Sequence, residues 1–165
     1  MIGLNLCPFA KAVHVKGLVH FAISAARDHA AVLEDLDSEL DALVALGPES
    51  RETTLLVVPH CLHEFLEFND FLGRAERLVR KRKLEGVIQL ASFHPGFQFE
   101  GTEVDDVTNF TNRSPYPTIH LLREESIDRA VEAFPEPEAI YEANMETLRR
   151  IGIDGWRGLD VGPSR

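Results

Sequence analysis

The chain is poor in cysteine, in tryptophan and tyrosine and in positive charge, and it has no long hydrophobic run. Its 165 residues hold two cysteines, Cys7 and Cys61, too few for a disulfide framework. Reduced thiols in a cytoplasmic setting are therefore expected. No apolar stretch approaches the roughly 20 residues that a membrane span requires. The opening Met1-Ile-Gly-Leu-Asn-Leu-Cys lacks the basic region of a secretion signal. Lysine and arginine number 17 against 27 aspartates and glutamates, a formal net charge of −10. Such a surface repels phosphate backbones, so neither nucleic acid nor a membrane is expected as a partner. The basic cluster Arg80, Lys81, Arg82 and Lys83 falls at the end of a helical pattern, where cations complement the helix dipole. No Gly-x-Gly-x-x-Gly follows a strand and no Walker sequence is present, so no cofactor is assigned.

Hydrophobic residues make up 44% of the chain and charged residues 27%, a globular balance. The length fits one domain, expected over residues 1–152, with a loosely held tail over 153–165 anchored by Trp156. Near the start, Leu4, Leu6, Phe9, Ala10 and Val13 fit a helix if Pro8 sits in its first turn. Period-two alternation over 18–24 predicts a strand, with Val19, Phe21 and Ile23 on one face. Leu33, Leu36, Leu40 and Leu43 predict a helix over 28–46, stopped by Gly47 and Pro48. An apolar run over 53–58 predicts a buried strand ended by Pro59. Phe65, Phe68, Leu72, Ala75 and Val79, widened by Leu66 and Phe71, predict a helix over 62–83. Strands follow over 87–93 and 118–123, then a helix over 127–134 capped by Ser126. A last helix over 138–151 is expected to end at Gly152.

Strands alternating with helices predict an α/β layered fold, with a mixed, mostly four-stranded sheet covered by helices. The second and third strands flank a helix and are expected to be parallel neighbours. Ligands of open α/β sheets sit beyond the carboxyl ends of the strands. That logic directs attention to His60, just after the second strand, and His94, just after the third, as rings facing one pocket.

Between the last two strands, residues 94–117 have neither helical nor strand periodicity and hold His94, Asp105, Asp106, Asn109, Asn112, Arg113, Ser114 and Tyr116 among glycines and prolines. A connection this long is more often functional than a spacer. His94 is a candidate general acid or base, or else a ring that fixes the path of the loop. Cys7, followed by Pro8, is a candidate nucleophile at a helix start, or else a small buried hydrophobe. Arg113, with Asn112 and Ser114, suits a carboxylate or phosphate. Equally, Arg113 could bind the loop from within, with Asp105 and Asp106 as the nearest acidic acceptors in sequence. His60, His63, His94, Asp105, Asp106 and His120 are metal-ligand types, but no recognised ligand spacing joins them, and no metal site is assigned.

Three segments carry a resemblance: Asn5-Leu-Cys-Pro-Phe-Ala10, Ala91-Ser-Phe-His-Pro95 and Thr111-Asn-Arg-Ser-Pro-Tyr-Pro-Thr118. In this order they resemble the bacterial family known as domain of unknown function 1415, and the similarity covers nearly the whole chain. The resemblance places Cys7, His94, Asn112 and Arg113 inside the family's signature segments and implies no particular reaction. It also implies a helix ahead of Gly3. With Met1 almost against that segment, a shortened sequence is the expectation.

Two functions fit these observations. One is an enzyme acting on a small anionic metabolite at the 94–117 loop, with Cys7 or His94 reactive and Arg113, Asn112, Ser114 and His60 binding substrate. The other is a non-catalytic ligand-binding or protein-interaction module that uses the same loop. The oligomeric state is left open.

Overall fold

The computed structural model describes residues 3–4, 6–133 and 137–159. Helix α1 (Pro8–Val15) leads into strand β1 (Val19–Ile23), followed by α2 (His29–Ala45), β2 (Thr53–Val57), α3 (Phe65–Lys81) and β3 (Ile88–Phe93). A 3-10 turn (Val107–Thr111) lies in the long connection to β4 (Thr118–Arg123), and helices α4 (Glu124–Ala133) and α5 (Pro137–Arg157) complete the order. The protein is thus an α/β fold with one mixed, open sheet of four strands, in the order β1-β2-β4-β3.

Local chemistry accounts for the elements. Asp28 stands in extended conformation before α2, and its carboxylate accepts the Ala31 N–H at 2.9 Å, satisfying one free donor of the first turn. Along α2, Val32, Leu36, Leu40 and Leu43 recur every three or four residues and are fully buried. On α3 the buried set is Phe68, Phe71, Ala75 and Val79. Both stripes pack on one sheet face, against Leu56 and Val58, Ile119 and Leu121 of β4, and Ile88 of β3. Leu66, expected to widen the α3 stripe, is 77% exposed because it lies outside that arc. Where α2 ends, Arg123 caps its carbonyl groups: one terminal nitrogen donates to Leu43 O (2.6 Å) and Leu46 O (2.7 Å), and its Nε reaches Arg51 O (3.3 Å) in the turn before β2.

One topological expectation is overturned. The sequence places β2 and β3 as parallel neighbours, but β4 lies between them, antiparallel to both. β2 and β3 still run in the same direction, two strand spacings apart, or roughly 10 Å. The long connection gives β4 the freedom to turn back into that gap. There its inward residues Ile119 and Leu121 are wholly buried, which suits a central strand. β1 and β2 are parallel neighbours, with Val19 opposite Thr53 and Ile23 opposite Val57.

The C-terminal elements agree with expectation in part. α4 starts at Glu124, directly after β4, instead of after a Ser126 cap, and Glu124 and Glu125 occupy its first turn, where the dipole favours acids. The stop expected at Pro135 lies outside the described residues. The expected stop at Gly152 is found: at φ 65° and ψ 177° this glycine leaves the helical conformation and divides α5 into two helical segments. The helix resumes to Arg157, and Trp156 packs on Phe110 with ring centroids 4.9 Å apart. Residues 160–165 lie outside the described set. Among the described residues no helix is long and apolar enough to cross a membrane.

Candidate functional site

The long connection leaves the carboxyl end of β3 and returns to the start of β4, so it lies at the sheet edge where β2 and β3 both end. It is bonded to both sides of that edge. His94 N–H donates to Asn112 O at 3.2 Å, and Val58 N–H donates to Pro117 O at 2.8 Å.

His94 opens the loop and is 1% exposed. Its ring lies stacked on Phe68 (5.1 Å) and beside Phe65 (5.4 Å). Gly96 N–H, which can only donate, reaches Nδ1 at 2.9 Å. The proton must then sit on Nε2, which donates to Leu62 O at 3.1 Å. The ring is therefore neutral with both nitrogens engaged, and burial pushes its pKa below the ordinary histidine value. Leu62, at φ 61°, holds a left-handed conformation that disfavours a branched side chain. Its side chain is buried and its carbonyl is bound by His94, which stabilises that turn. Cys61, beside it, is buried too, and desolvation pushes its thiol up.

The middle of the loop closes on Asn109, which is completely buried. Its Oδ1 accepts from Phe99 N–H (2.9 Å) and shares the Thr102 hydroxyl proton with Phe99 O (2.9 and 2.8 Å), and its Nδ2 donates to Glu103 O (2.9 Å). One amide thus satisfies groups on three residues that have no strand or helix partner. Gly101, at φ 76°, makes the reversal inside that ring possible. Asp106 caps the 3-10 turn: its Oδ1 accepts from Thr108 N–H (2.8 Å) and the Thr108 hydroxyl (2.7 Å), and these bonds hold its carboxyl below the usual range.

Arg113 turns inward. Its Nε donates to Phe97 O at 3.0 Å and its Nη2 to Val104 O at 2.6 Å, while the guanidinium lies 4.5 Å from the centre of the Phe110 ring. The loop is tied from within, as one sequence-based alternative has it, but the acceptors are carbonyl groups and not Asp105 or Asp106. Ser114 Oγ donates to Tyr116 O at 2.5 Å, and Asn112 N–H donates to Asn109 O at 3.1 Å.

α5 clamps the outside of this assembly. Phe99 meets Tyr141 edge-on at 5.8 Å near one end, and Phe110 meets Trp156 at 4.9 Å near the other. Leu148, between them, is fully buried. Asn144 of α5 donates to Leu6 O at 2.7 Å, which fastens the segment carrying Cys7 to the same helix. Cys7 stands in extended conformation just ahead of α1 and is half-buried. Among the described residues no hydrogen bond joins Cys7 to His94, whose ring nitrogens are already taken. His60 is exposed on the turn after β2, with β4 interposed between the strands that lead to it and to His94, so the expected facing pair of rings is not formed.

His120 points to the sheet face opposite α2 and α3. Thr53 Oγ1 donates to Leu121 O (2.6 Å), so it accepts from His120 Nε2–H (2.7 Å). Burial lowers its pKa to about 4. Among the described residues no three His, Cys, Asp or Glu side chains converge on a point that could hold a metal.

Two of the residues that build the site had weak signals in sequence. Asn109 was visible only as an amide between Thr108 and Phe110, in a stretch short of other backbone partners. Leu62 carries no signal for a left-handed conformation.

Fold and site together define an α/β domain whose long inter-strand connection is bonded upon itself and clamped by a kinked helix. The chain belongs to the family described as Protein of unknown function (DUF1415), which matches residues 1–158. No curated protein and no solved structure matches it.

Proposed function

We propose that this protein is a non-catalytic interaction module and that the 94–117 loop is its recognition surface. The observation that carries this reading is the engagement of His94: it is buried and neutral, and each ring nitrogen is held by a backbone group. A general acid or base needs a nitrogen within reach of a substrate proton. Arg113, the candidate anion clamp, spends its Nε and one Nη on the loop's own carbonyl groups. The loop's outer residues include Glu100, Glu103 and Asp105, exposed acids that oppose a small anion, together with Val104 (68% exposed) and Tyr116 (38%). An ordered surface with apolar and acidic side chains suits a macromolecular partner that brings complementary apolar and basic groups.

The competing reading, an enzyme with a small anionic substrate, is favoured by one feature: the Arg113 bond to Val104 O lies at the solvent boundary, which leaves outer N–H groups accessible. A thermal-shift series with phosphate, sulfate, acetate, succinate and citrate separates the two. The interaction module predicts no saturable stabilisation by any of them. A saturable rise in Tm that disappears in Arg113→Lys would refute it and support the anionic site.

A further inference from the structure

Among the described residues no strand covers the outer edge of β1, and a groove runs beside it. In the parallel ladder with β2, Glu52 and Thr53 N–H groups donate to Leu18 O, and Ser24 N–H donates to Val57 O. Backbone groups of a strand alternate between its two edges, so those of Val19, Phe21 and Ile23 point away from β2. Among the described residues no strand pairs with them. Edge strands are usually protected by lysine, proline or a bulge. Val19-His-Phe-Ala-Ile23 has none of these, and Phe21 is 58% and Ile23 76% exposed.

The two faces of this edge differ in character. On the side away from α2 stand Val19, Phe21 and Ile23. On the α2 side is a cleft of about 390 Å³ lined by Ser24, Ala26, Glu34, Asp35, Ser38 and Glu39 among others. Ser24 Oγ donates to Asp35 Oδ2 at 2.5 Å and accepts from Ala26 N–H at 3.1 Å, which fixes the cleft's inner end. Arg51 neutralises Glu39, leaving Glu34 and Asp35 as the cleft's net negative charge.

We propose that the β1 edge is a strand-addition site for an extended peptide segment in which apolar residues alternate with lysine or arginine. The added strand takes its main-chain hydrogen bonds from Val19, Phe21 and Ile23. Its apolar residues lie beside Phe21 and Ile23, and its basic residues reach over the opposite face toward Glu34 and Asp35. Period-two alternation places the two kinds of side chain on the two faces as required. A second copy of this chain fits poorly: β1 has no lysine or arginine to offer the cleft, and each copy carries a net charge of −10. This surface lies at the sheet edge opposite β3 and does not depend on the role assigned to the 94–117 loop.

The test uses the full chain and a fluorescein-labelled synthetic peptide alternating valine and lysine, read by fluorescence anisotropy. Controls are the valine–glutamate counterpart and a valine–lysine peptide N-methylated at every second residue to block its hydrogen bonds along one edge. Glu34→Lys and Ile23→Lys alter exposed side chains and leave the core intact. The expected result is saturable binding of the valine–lysine peptide, no binding of the valine–glutamate peptide, and a loss of about 10-fold or more on N-methylation. Glu34→Lys should weaken binding about 5-fold or more at low salt, an effect that shrinks as salt rises. Absence of binding, equal binding of both peptides, or indifference to N-methylation would overturn the proposal. Sedimentation showing a dimer of the native chain that Ile23→Lys dissociates would also overturn it, by assigning the edge to a second copy.

Discussion

Replacing Asn109 with alanine removes the amide around which the loop folds. The side chain is wholly buried and makes three bonds of 2.9 Å each. A net hydrogen bond contributes about 1 kcal/mol, and a buried group left without its partner costs about 1–3 kcal/mol. Without the amide the Thr102 hydroxyl keeps Phe99 O and Glu103 O keeps Asp106 N–H, which leaves Phe99 N–H as the group without a partner, so the lower end of that range applies. The expected cost is about 3 kcal/mol, felt first as opening of the loop and only secondarily as global unfolding. At about 1.4 kcal/mol per tenfold, amides from Phe97 to Asn112 should exchange roughly 100-fold faster. Helix α2 and the C-terminal half of α3, beyond the Phe65 and Phe68 contacts with the loop, should be nearly unaffected. Hydrogen exchange followed by mass spectrometry reads this directly. Asn109→Asp serves as a control: it keeps the acceptor but loses the donor to Glu103 O, so its protection should recover in part as the carboxyl protonates. Exchange within about 3-fold of the native rate in Asn109→Ala would refute the role of this amide, because the lost bonds would then be worth less than ~1 kcal/mol.

His94 and His120 both have pKa values below that of a free histidine, so the folded state resists protonation that the unfolded state accepts. Their stabilisation is complete above the unfolded value of about 6.5 and is lost as the pH falls below it. For His120 the window runs from 6.5 down to about 4. That gap corresponds to at most ~3 kcal/mol, and less in practice because the ring keeps some contact with solvent. Urea unfolding across this range should show the loss, and His120→Asn should flatten the curve. A variant curve parallel to the native one would contradict the assignment. Arg123→Met removes the cap on the last carbonyl groups of α2 and should lower unfolding free energy by about 2–3 kcal/mol in urea titrations. A change below ~0.5 kcal/mol would show that water replaces the cap without loss.

The periodic parts of the fold were legible because burial imposes them. Val32 to Leu43 and Phe68 to Val79 repeat at helical spacing because one arc of each helix faces the sheet. Strand order was not legible. Periodicity shows that Ile119 and Leu121 share a face, but it does not say which strands β4 lies between. That choice depends on the return path of the loop and on main-chain hydrogen bonding, which every residue type supports alike. The same limit explains the loop itself. The inward role of Arg113 was accessible from its fork of donors among prolines. Its actual acceptors, the carbonyl groups of Phe97 and Val104, are invisible in a sequence, where Asp105 and Asp106 stand out instead. His94 was located correctly at the sheet edge, but its lack of a free nitrogen follows from Gly96 N–H and Leu62 O, two further backbone groups.

The central claim is that the loop's polar side chains are committed to holding the loop together, and Arg113→Lys tests it most directly. Lysine keeps the charge but cannot reach Phe97 O and Val104 O together while lying flat on Phe110. Hydrogen exchange of the free protein should then quicken about 10-fold or more across residues 97–117 in the absence of any ligand, in keeping with the loss of one or two charged hydrogen bonds. Emission from Trp156, the chain's single tryptophan, should shift to longer wavelength as its contact with Phe110 loosens. Unchanged exchange throughout the loop, combined with loss of a measurable anion affinity, would contradict the account and identify Arg113 as a ligand-binding residue.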